Sequence, residues 1–321
     1  MKNNQRAQAL VGKKGAWKGL NYTRERFGII RKIIAHVTVD SWDNVPHVSF
    51  TYEPDVTEFI AEYRALKEKH LPEANITLNT LLLKAIVEAL KAAPHLNAYL
   101  KYNKQSSRGS IDTIEEINIS IPSKVDEDTT VTVNLKNANK KSLVEINDFA
   151  TDIRRRAKKT NFDELYYRLA FDQSMDELKE FKPILVFRRL FAGRIGRDKV
   201  HPLKGEKKRD YYAIPETERL TLEDVRRGTL VVTNIGSIMR EVDLKVNLLE
   251  IIPPQILAIA LCPLIEVPRV VKSEEGSKAE IRKVLPICIA FDHRAYDFVA
   301  LEPFVSKLEE IFASPKVIRS W

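Results

Sequence analysis

A histidine with charged neighbours follows an apolar run near the end of the chain. The segment KVLPICIA (283–290) leads into FDHRAYDF, which places His293 between Asp292 and Arg294 and puts Asp297 four residues further on. A histidine held at the end of a buried strand can act as a general base, because its proton exchange lies close to neutral pH. A structural histidine in a hydrogen-bond network fits the same pattern, so spacing alone leaves both interpretations open.

Other residues that could carry chemistry give weaker signals. His47 and His95 have no cysteine or carboxylate at ligand spacing, so we predict no metal site. Gly236 in TNIGS lacks the further glycines of a dinucleotide-binding loop. Cys262 and Cys288 lie in apolar runs, which predicts buried thiols in a reducing compartment rather than a disulfide framework.

The composition is that of an ordinary globular protein with a modest positive charge. The 321 residues include 52 Lys and Arg against 44 Asp and Glu, a net charge of +8. This charge suits anionic ligands such as phosphates but is not clustered as in a nucleic-acid-binding arm, so we predict no nucleic-acid partner. We find no signal peptide and no run of 18 apolar residues, and we expect a cytoplasmic protein with a basic flexible arm at 1–25.

Strands and helices that could position the histidine are readable along the chain. Alternating or continuous apolar runs predict strands at 46–53, 116–122, 129–135, 229–233, 255–262 and 284–291, the last three central in a sheet. Apolar residues at helical spacing predict helices at 56–70, from 75 until Pro94 stops the helix, at 141–160 and at 301–315. The simplest interpretation is one domain of helices packed on a mixed β-sheet.

Five segments of the chain resemble segments of known acyltransferases, and they occur in the same order as in that family. FDHRAYD is similar to the His-x-x-x-Asp segment of the chloramphenicol acetyltransferase-like superfamily, in particular its 2-oxoacid dehydrogenase acyltransferase branch. The segments that begin GIIRKIIAHV, LNTLLLKAIV, VNLKNANKKS and LTLEDVRRGT also resemble that branch. Together they cover most of residues 26–316. The resemblance implies an α/β fold of the chloramphenicol acetyltransferase type, a two-layer arrangement over residues 26–321.

The resemblance also implies roles for individual residues. His293 is expected to be the general base that removes a proton from an acceptor thiol or hydroxyl, and Thr233 to stabilise the oxyanion formed on a thioester carbonyl. Asn234 and Gly236 belong to the family's Ser/Thr-Asn-x-Gly turn. Asp297 is expected to be a structural partner of Arg31 in a buried ion pair rather than an orienter of the histidine.

Three departures separate this chain from the family pattern. Phe298 stands where the motif has glycine, TTVTVN (129–134) lacks the glycine and proline of the usual GLVTPV, and about 60 residues (161–219) are inserted. Within the insertion, the basic and apolar residues at 181–210 fit a lid over the acyl pocket, contact with a membrane surface, or an oligomer contact. These three interpretations stay open.

The expected partners follow from the same resemblance. No lipoyl module precedes the catalytic segment, so we expect a stand-alone domain without its own lipoyl group that takes its acyl group from coenzyme A, a carrier protein or the lipoyl arm of another chain. The positive charge favours acyl-CoA. The family builds its active channel between neighbouring subunits, which implies a homotrimer. A non-catalytic trimeric scaffold that retains the fold is the alternative.

Overall fold

The computed structural model describes residues 20–22, 27–69, 76–124, 130–179, 202–273 and 276–321. The expected N-terminal arm at 1–25 therefore lies almost wholly outside the described residues. The chain forms two compact units: one comprises residues 1–36 and 161–211, the other residues 37–160 and 212–321. The expectation of one catalytic domain over 26–321 with an insertion stays a prediction.

The described helices and strands follow one another along the chain in this way. The helices are α1 (Ile29–Asn44), α2 (Thr57–Lys69), α3 (Leu78–Ala92), α4 (Leu143–Ala157), α5 (Phe162–Lys179), α6 (Gly205–Ala213), α7 (Leu222–Val225) and α8 (Glu302–Ala313). The strands are β1 (His47–Tyr52), β2 (Ala98–Asn103), β3 (Arg108–Thr113), β4 (Ile119–Lys124), β5 (Thr130–Leu135), β6 (Leu230–Asn234), β7 (Leu257–Leu261), β8 (Ile265–Ser273), β9 (Gly276–Val284) and β10 (Ile287–Asp292).

A six-stranded mixed sheet forms the centre of the larger unit. Its strand order is β1-β10-β7-β6-β4-β5, with β6 parallel to β4 and β7 and the other neighbours antiparallel. The predicted mixed sheet and its central strands β6, β7 and β10 are confirmed. The predicted strand 284–291 was too long at its start, because Val284 ends β9 and Pro286, which has no backbone N–H to donate, separates it from β10.

The two faces of this sheet differ in their side chains. The helix face, which includes Leu230, Val232 and Ile259, packs on residues of α2, α3 and α8 in the main hydrophobic core. The opposite face carries smaller or polar side chains such as Val231 and Ala258, and we call it the small-residue face. On this second face the segment 246–251 lies against β1, since the hydroxyls of Ser49 and Thr51 donate to its carbonyls and Ile251 packs on Ala258 and Ala290.

Helix α3 is the buried helix that the sequence predicted with most support. It begins where the Thr77 side chain accepts a hydrogen bond from the Thr80 N–H, and ten of its fifteen residues are buried. It packs on α8 against the helix face. The burial of a broad apolar stripe on one side explains why the pattern in the sequence was sufficient to predict it.

The smaller unit contains α5, which lies in the predicted insertion. The Asn161 side chain accepts a hydrogen bond from Glu164 N–H at the start of this helix, and Glu164 in turn accepts one from Leu203 N–H. Burial raises the pKa of Tyr166 to about 12.

The basic and apolar stretch at 181–210 lies mostly outside the described residues, so its three interpretations stay predictions. Within the described part of the chain, no helix has the length and apolar character needed to cross a membrane.

Candidate active site

His293 lies at the first position after β10, where the chain leaves the sheet. Its backbone N–H donates to the carbonyl of Pro46, which holds this position against the start of β1. Its imidazole Nδ1 lies 3.2 Å from the carbonyl oxygen of Tyr296 and 3.2 Å from Oδ1 of Asp297. The side chain is 45% exposed, and across the described residues its Nε2 has no hydrogen-bond partner. The ring is therefore held from one side and open on the other.

The two neighbours of His293 form an ion pair that fixes the turn. Asp292 is 1% exposed, and its two oxygens share a bifurcated hydrogen bond from Nε of Arg294 at 3.0 and 3.2 Å and accept one from Nη2 at 2.6 Å. The Arg294 backbone N–H also donates to Asp292. Because the pair spans the histidine, it restricts the backbone on both sides of that residue.

The predicted burial of Asp297 is not seen in a single copy of the described chain. The Asp297 side chain is 82% exposed, and its carboxylate lies beside the imidazole of His293. Its backbone carbonyl accepts from Ala300 N–H at the start of a short 3₁₀ turn (Phe298–Leu301), which directs the side chain outward. Arg31 is an exposed residue of α1 in the other unit, and its pairing with Asp297 stays a prediction.

Phe298, the departure from the family's glycine, packs beside the histidine loop. Its ring makes an edge contact with Phe291 at 5.3 Å and a tilted contact with Phe50 at 5.8 Å between centroids. Phe291 also contacts the His293 ring at 5.9 Å. The ring of Phe298 remains 54% exposed. The loop therefore accommodates the aromatic ring by turning it onto β1, and an apolar surface results next to His293.

Thr233 is the last residue but one of β6, and a tightly held turn follows this strand. Asn234 Nδ2 donates to Asn79 Oδ1 at 2.6 Å, and Asn234 Oδ1 accepts from Ser237 N–H at 2.9 Å. A Cβ atom on Gly236 would lie 2.8 Å from the Cys262 carbonyl oxygen, so the turn requires glycine there. The Thr233 hydroxyl has no partner in the described residues, which leaves it able to donate. Sequence reasoning missed Asn79, whose only signal is its place in the first turn of α3.

Thr233 and His293 lie at opposite ends of the sheet within one chain. Thr233 is aligned with Ala260 on β7, and Ala260 is aligned with Cys288 on β10. His293 follows Cys288 by five residues, a separation of roughly 16 Å along the strand direction. One copy of the chain therefore does not bring these two residues into a single site.

The two cysteines are poor candidates for nucleophiles. Burial raises the pKa of Cys262, and burial together with the neighbouring Cys262 raises the pKa of Cys288 to about 11. The thiolate is the reactive form, so a thiol with a raised pKa is largely unreactive at neutral pH. In the described portion of the chain, no group of three or more His, Cys, Asp and Glu residues could hold a metal ion.

Comparison with known proteins identifies a family. The model of the family described as 2-oxoacid dehydrogenases acyltransferase (catalytic domain) matches residues 20–165 and 208–319. The match is interrupted at 166–207, inside the segment that the sequence suggested as an insertion.

Two curated proteins of Bacillus subtilis are among the relatives in sequence. The dihydrolipoyllysine-residue acetyltransferase component of its pyruvate dehydrogenase complex is 32% identical over 127 residues, which is 39% of this chain and 28% of that protein. The lipoamide acyltransferase component of its branched-chain alpha-keto acid dehydrogenase complex is 24% identical over 288 residues, or 89% of this chain. That match spans 51% of the relative, so the chain covers about half the length of this curated protein.

A solved structure with a similar fold is that of dihydrolipoamide acetyltransferase from Azotobacter vinelandii. It was determined in work on the role of a serine, a histidine and an asparagine in the catalytic mechanism of that enzyme. The superposition has a TM-score of 0.65 at 16% identity and covers 96% of this chain and 98% of the other. At this identity the likeness shows the fold and nothing finer.

Proposed function

Since the chain belongs to the 2-oxoacid dehydrogenase acyltransferase family, we propose that it transfers an acyl group from a thioester to a thiol or hydroxyl acceptor. In this proposal His293 is the general base and Thr233 stabilises the oxyanion. The base takes the acceptor's proton, the acceptor attacks the thioester carbonyl, and the tetrahedral intermediate then expels the donor thiolate, which receives the proton back.

The arrangement of the His293 ring is the observation that carries this proposal. A neutral imidazole that directs its Nδ1–H toward the Tyr296 carbonyl and the Asp297 carboxylate keeps its lone pair on Nε2. Nε2 has no other partner in the described chain, so an acceptor thiol or hydroxyl can approach it. In the A. vinelandii enzyme, the histidine and asparagine whose catalytic role was investigated are four residues apart, as are His293 and Asp297.

Asp297 gains a different part in this proposal from the one the sequence suggested. Its carboxylate lies 3.2 Å from Nδ1, the distance at which a carboxylate orients an imidazole and stabilises the imidazolium formed during proton transfer. Because Asp297 is 82% exposed, we expect the effect to be modest in one isolated chain and stronger where a neighbouring subunit excludes water.

In this proposal the oxyanion donor comes from a second copy of the chain. The opposite placement of Thr233 and His293 along the sheet excludes a site built from one copy alone, while a neighbouring subunit can bring its own Thr233 to the first subunit's His293. The homotrimer inferred from the family resemblance provides such an interface. A serine or threonine hydroxyl of this kind acts as an oxyanion-hole donor, whose loss typically lowers the rate by about 100- to 1000-fold.

Acyl-CoA is the donor that we propose. The net charge of +8 favours an anionic carrier over a neutral one. The curated relatives are named for dihydrolipoyllysine and lipoamide, so a lipoyl arm carried by another chain is the acceptor that we propose. This arrangement requires neither a metal ion nor a lipoyl group of the chain's own.

Replacement of His293 tests the proposal. We expect His293→Ala to lower kcat for acetyl transfer from acetyl-CoA to dihydrolipoamide by about 100- to 10,000-fold, because a positioned general base contributes a factor of this size. The matched control is His36→Ala, which removes an exposed histidine of α1 and should leave turnover unchanged.

The assembly must be measured alongside the activity. Sedimentation should give the same oligomeric state for wild type and His293→Ala, so that lost turnover reports on chemistry. Full turnover in the His293→Ala protein contradicts the proposed base. A wild-type protein that assembles but transfers no acyl group supports the alternative of a non-catalytic scaffold, for which Phe298 beside His293 and the altered segment 129–134 are the supporting observations.

A further inference from the structure

A buried side-chain amide on β5 has no partner for its oxygen. Asn134 is 7% exposed, and its Oδ1 is buried without any hydrogen-bond partner among the described residues. A buried carbonyl oxygen that lacks a donor is costly, and native proteins rarely keep one without a reason. Asn134 also lies in TTVTVN (129–134), the stretch in which this chain departs from the family sequence.

The strand register places Asn134 on the same face of the sheet as Thr233. Asn134 is aligned with Ser120 on β4, and Ser120 is aligned with Val231 on β6. Aligned residues on neighbouring strands share a face, and so do residues two apart on one strand, which adds Thr233 to the set. The flanking residues Val133 and Leu135 are buried, and Leu135 belongs to the core on the helix face, as the alternation requires.

The separation between these two residues fits the length of a thioester carrier. Two strand spacings and one two-residue step place the Cα atoms of Asn134 and Thr233 about 12 Å apart. If the thioester carbonyl lies at Thr233, the carrier arm attached to its sulphur can extend along this face toward Asn134. Both the pantetheine arm of coenzyme A and a lipoyl-lysine arm contain an amide N–H several bonds from the sulphur.

We propose that Oδ1 of Asn134 accepts a hydrogen bond from an amide N–H several bonds from the sulphur in the arm of the thioester carrier, which in pantetheine is the outer of its two amides, and so selects carriers that contain this amide. The inference rests on the proposed function, because it takes Thr233 as the oxyanion donor. In this arrangement the carrier supplies the donor that Asn134 lacks in the free protein. Pantetheine and lipoyl-lysine share this chemistry, and the donors used in the test separate them.

Truncated donors and Asn134→Val provide the test. Acetyl transfer to dithiothreitol, which has no amide, is measured from S-acetylpantetheine, from an acetylated dihydrolipoyl-lysine peptide, and from S-acetyl-N-acetylcysteamine, which keeps only the inner amide of pantetheine. We expect kcat/KM to fall about 10-fold for the donor whose amide Asn134 binds, the value of one net hydrogen bond, and to stay unchanged for the truncated donor. A lower kcat/KM for S-acetylpantetheine alone identifies pantetheine as the arm that Asn134 binds. A lower kcat/KM for the acetylated dihydrolipoyl-lysine peptide alone identifies the lipoyl arm.

Two further variants separate binding from structural damage. Thr132→Val changes a residue on the same strand and face without removing a buried oxygen, and it should leave kcat/KM unchanged for all three donors. Asn134→Thr restores an acceptor hydroxyl and should recover part of the loss. The melting temperature of Asn134→Val should equal or exceed that of wild type, because the substitution removes an unpaired buried oxygen.

The outcomes distinguish this inference from the proposed function. Equal losses for all three donors, or no loss for either full-length arm, overturn the role of Asn134 while acyl transfer stands. Calorimetry can measure the contact without turnover. The affinities of pantetheine and of the unacetylated dihydrolipoyl-lysine peptide are compared between the His293→Ala protein and the same protein with Asn134→Val added. An affinity that falls about 10-fold supports it even if wild type shows no transfer. Absence of both binding and transfer in wild type refutes the proposed function and this inference together.

Discussion

At the scale of residues, the histidine turn combines a rigid base with an exposed carboxylate. Asp292 is buried and bound by Arg294 through a bidentate pair, whereas Asp297 is exposed and touches the imidazole. The two carboxylates therefore have separate tasks. Asp292 stabilises the backbone that carries His293, and we propose that Asp297 acts on the imidazole itself.

Substitution of the two carboxylates should separate these tasks. We expect Asp292→Asn to lower the free energy of unfolding by about 3 kcal/mol, because it leaves the partly buried Arg294 without its counter-charge. Asp297→Asn is the matched control in the same loop and should change stability by less than about 0.5 kcal/mol, since exposed ion pairs contribute little. Urea denaturation measures both. A stability loss of similar size in the two variants contradicts the assignment.

At the scale of elements, α3 links the core of the larger unit to the proposed oxyanion turn. Its first turn supplies Asn79, whose side-chain oxygen accepts from Asn234 next to Thr233. The apolar residues of its last two turns, such as Ile86 and Leu90, are buried against α8 and the helix face of the sheet. The position of Thr233 therefore depends in part on where this helix begins, which the Thr77 cap fixes.

Removal of that cap is a test at this scale. Thr77→Ala should lower the free energy of unfolding by about 1 kcal/mol, the usual effect of a lost N-cap hydrogen bond. Ser106→Ala, in the exposed turn between β2 and β3, serves as the control and should have no measurable effect. Thermal and urea denaturation of the two variants check the difference. An unchanged stability in Thr77→Ala would show that tertiary packing alone holds the start of α3.

At the scale of the whole molecule, the proposed site needs more than one copy of the chain. The register puts Thr233 and His293 roughly 16 Å apart along the strand direction of one sheet. Two copies that each supply one of these residues would form a complete site at every interface. A closed ring of three identical copies repeats the same contact three times, so each chain contributes to two sites.

Mixed assemblies test this arrangement directly. Alone, His293→Ala and Thr233→Val should each be strongly impaired. When the two variants are unfolded together and refolded, some interfaces pair the intact His293 of one copy with the intact Thr233 of another, and about a quarter of wild-type activity should return in an equal mixture. The control is the same two variants mixed after separate folding, which should show no recovery. Activity that stays absent after co-refolding contradicts the shared site.

Local patterns in the sequence were sufficient for most helices and strands of the larger unit. The apolar stripe of α3 matches its buried face, and the alternation in β5 matches burial that alternates along part of the strand. The continuous apolar runs of β7 and β10 match strands that are buried at every residue. His293 was identified as a candidate base because a short motif and a strand end are both local features. The sequence also identified the family.

Only the tertiary structure decided how distant residues meet. The exposure of Asp297 depends on the direction of a 3₁₀ turn, the contact of Asn234 with Asn79 joins residues 155 positions apart, and the unpaired oxygen of Asn134 depends on what surrounds β5. Strand pairing and register separated Thr233 from His293, and no local pattern encodes how the strands of a sheet pair. The type of each side chain and the spacing of the apolar residues can be read from the sequence, whereas contacts between distant segments form only when the whole core packs.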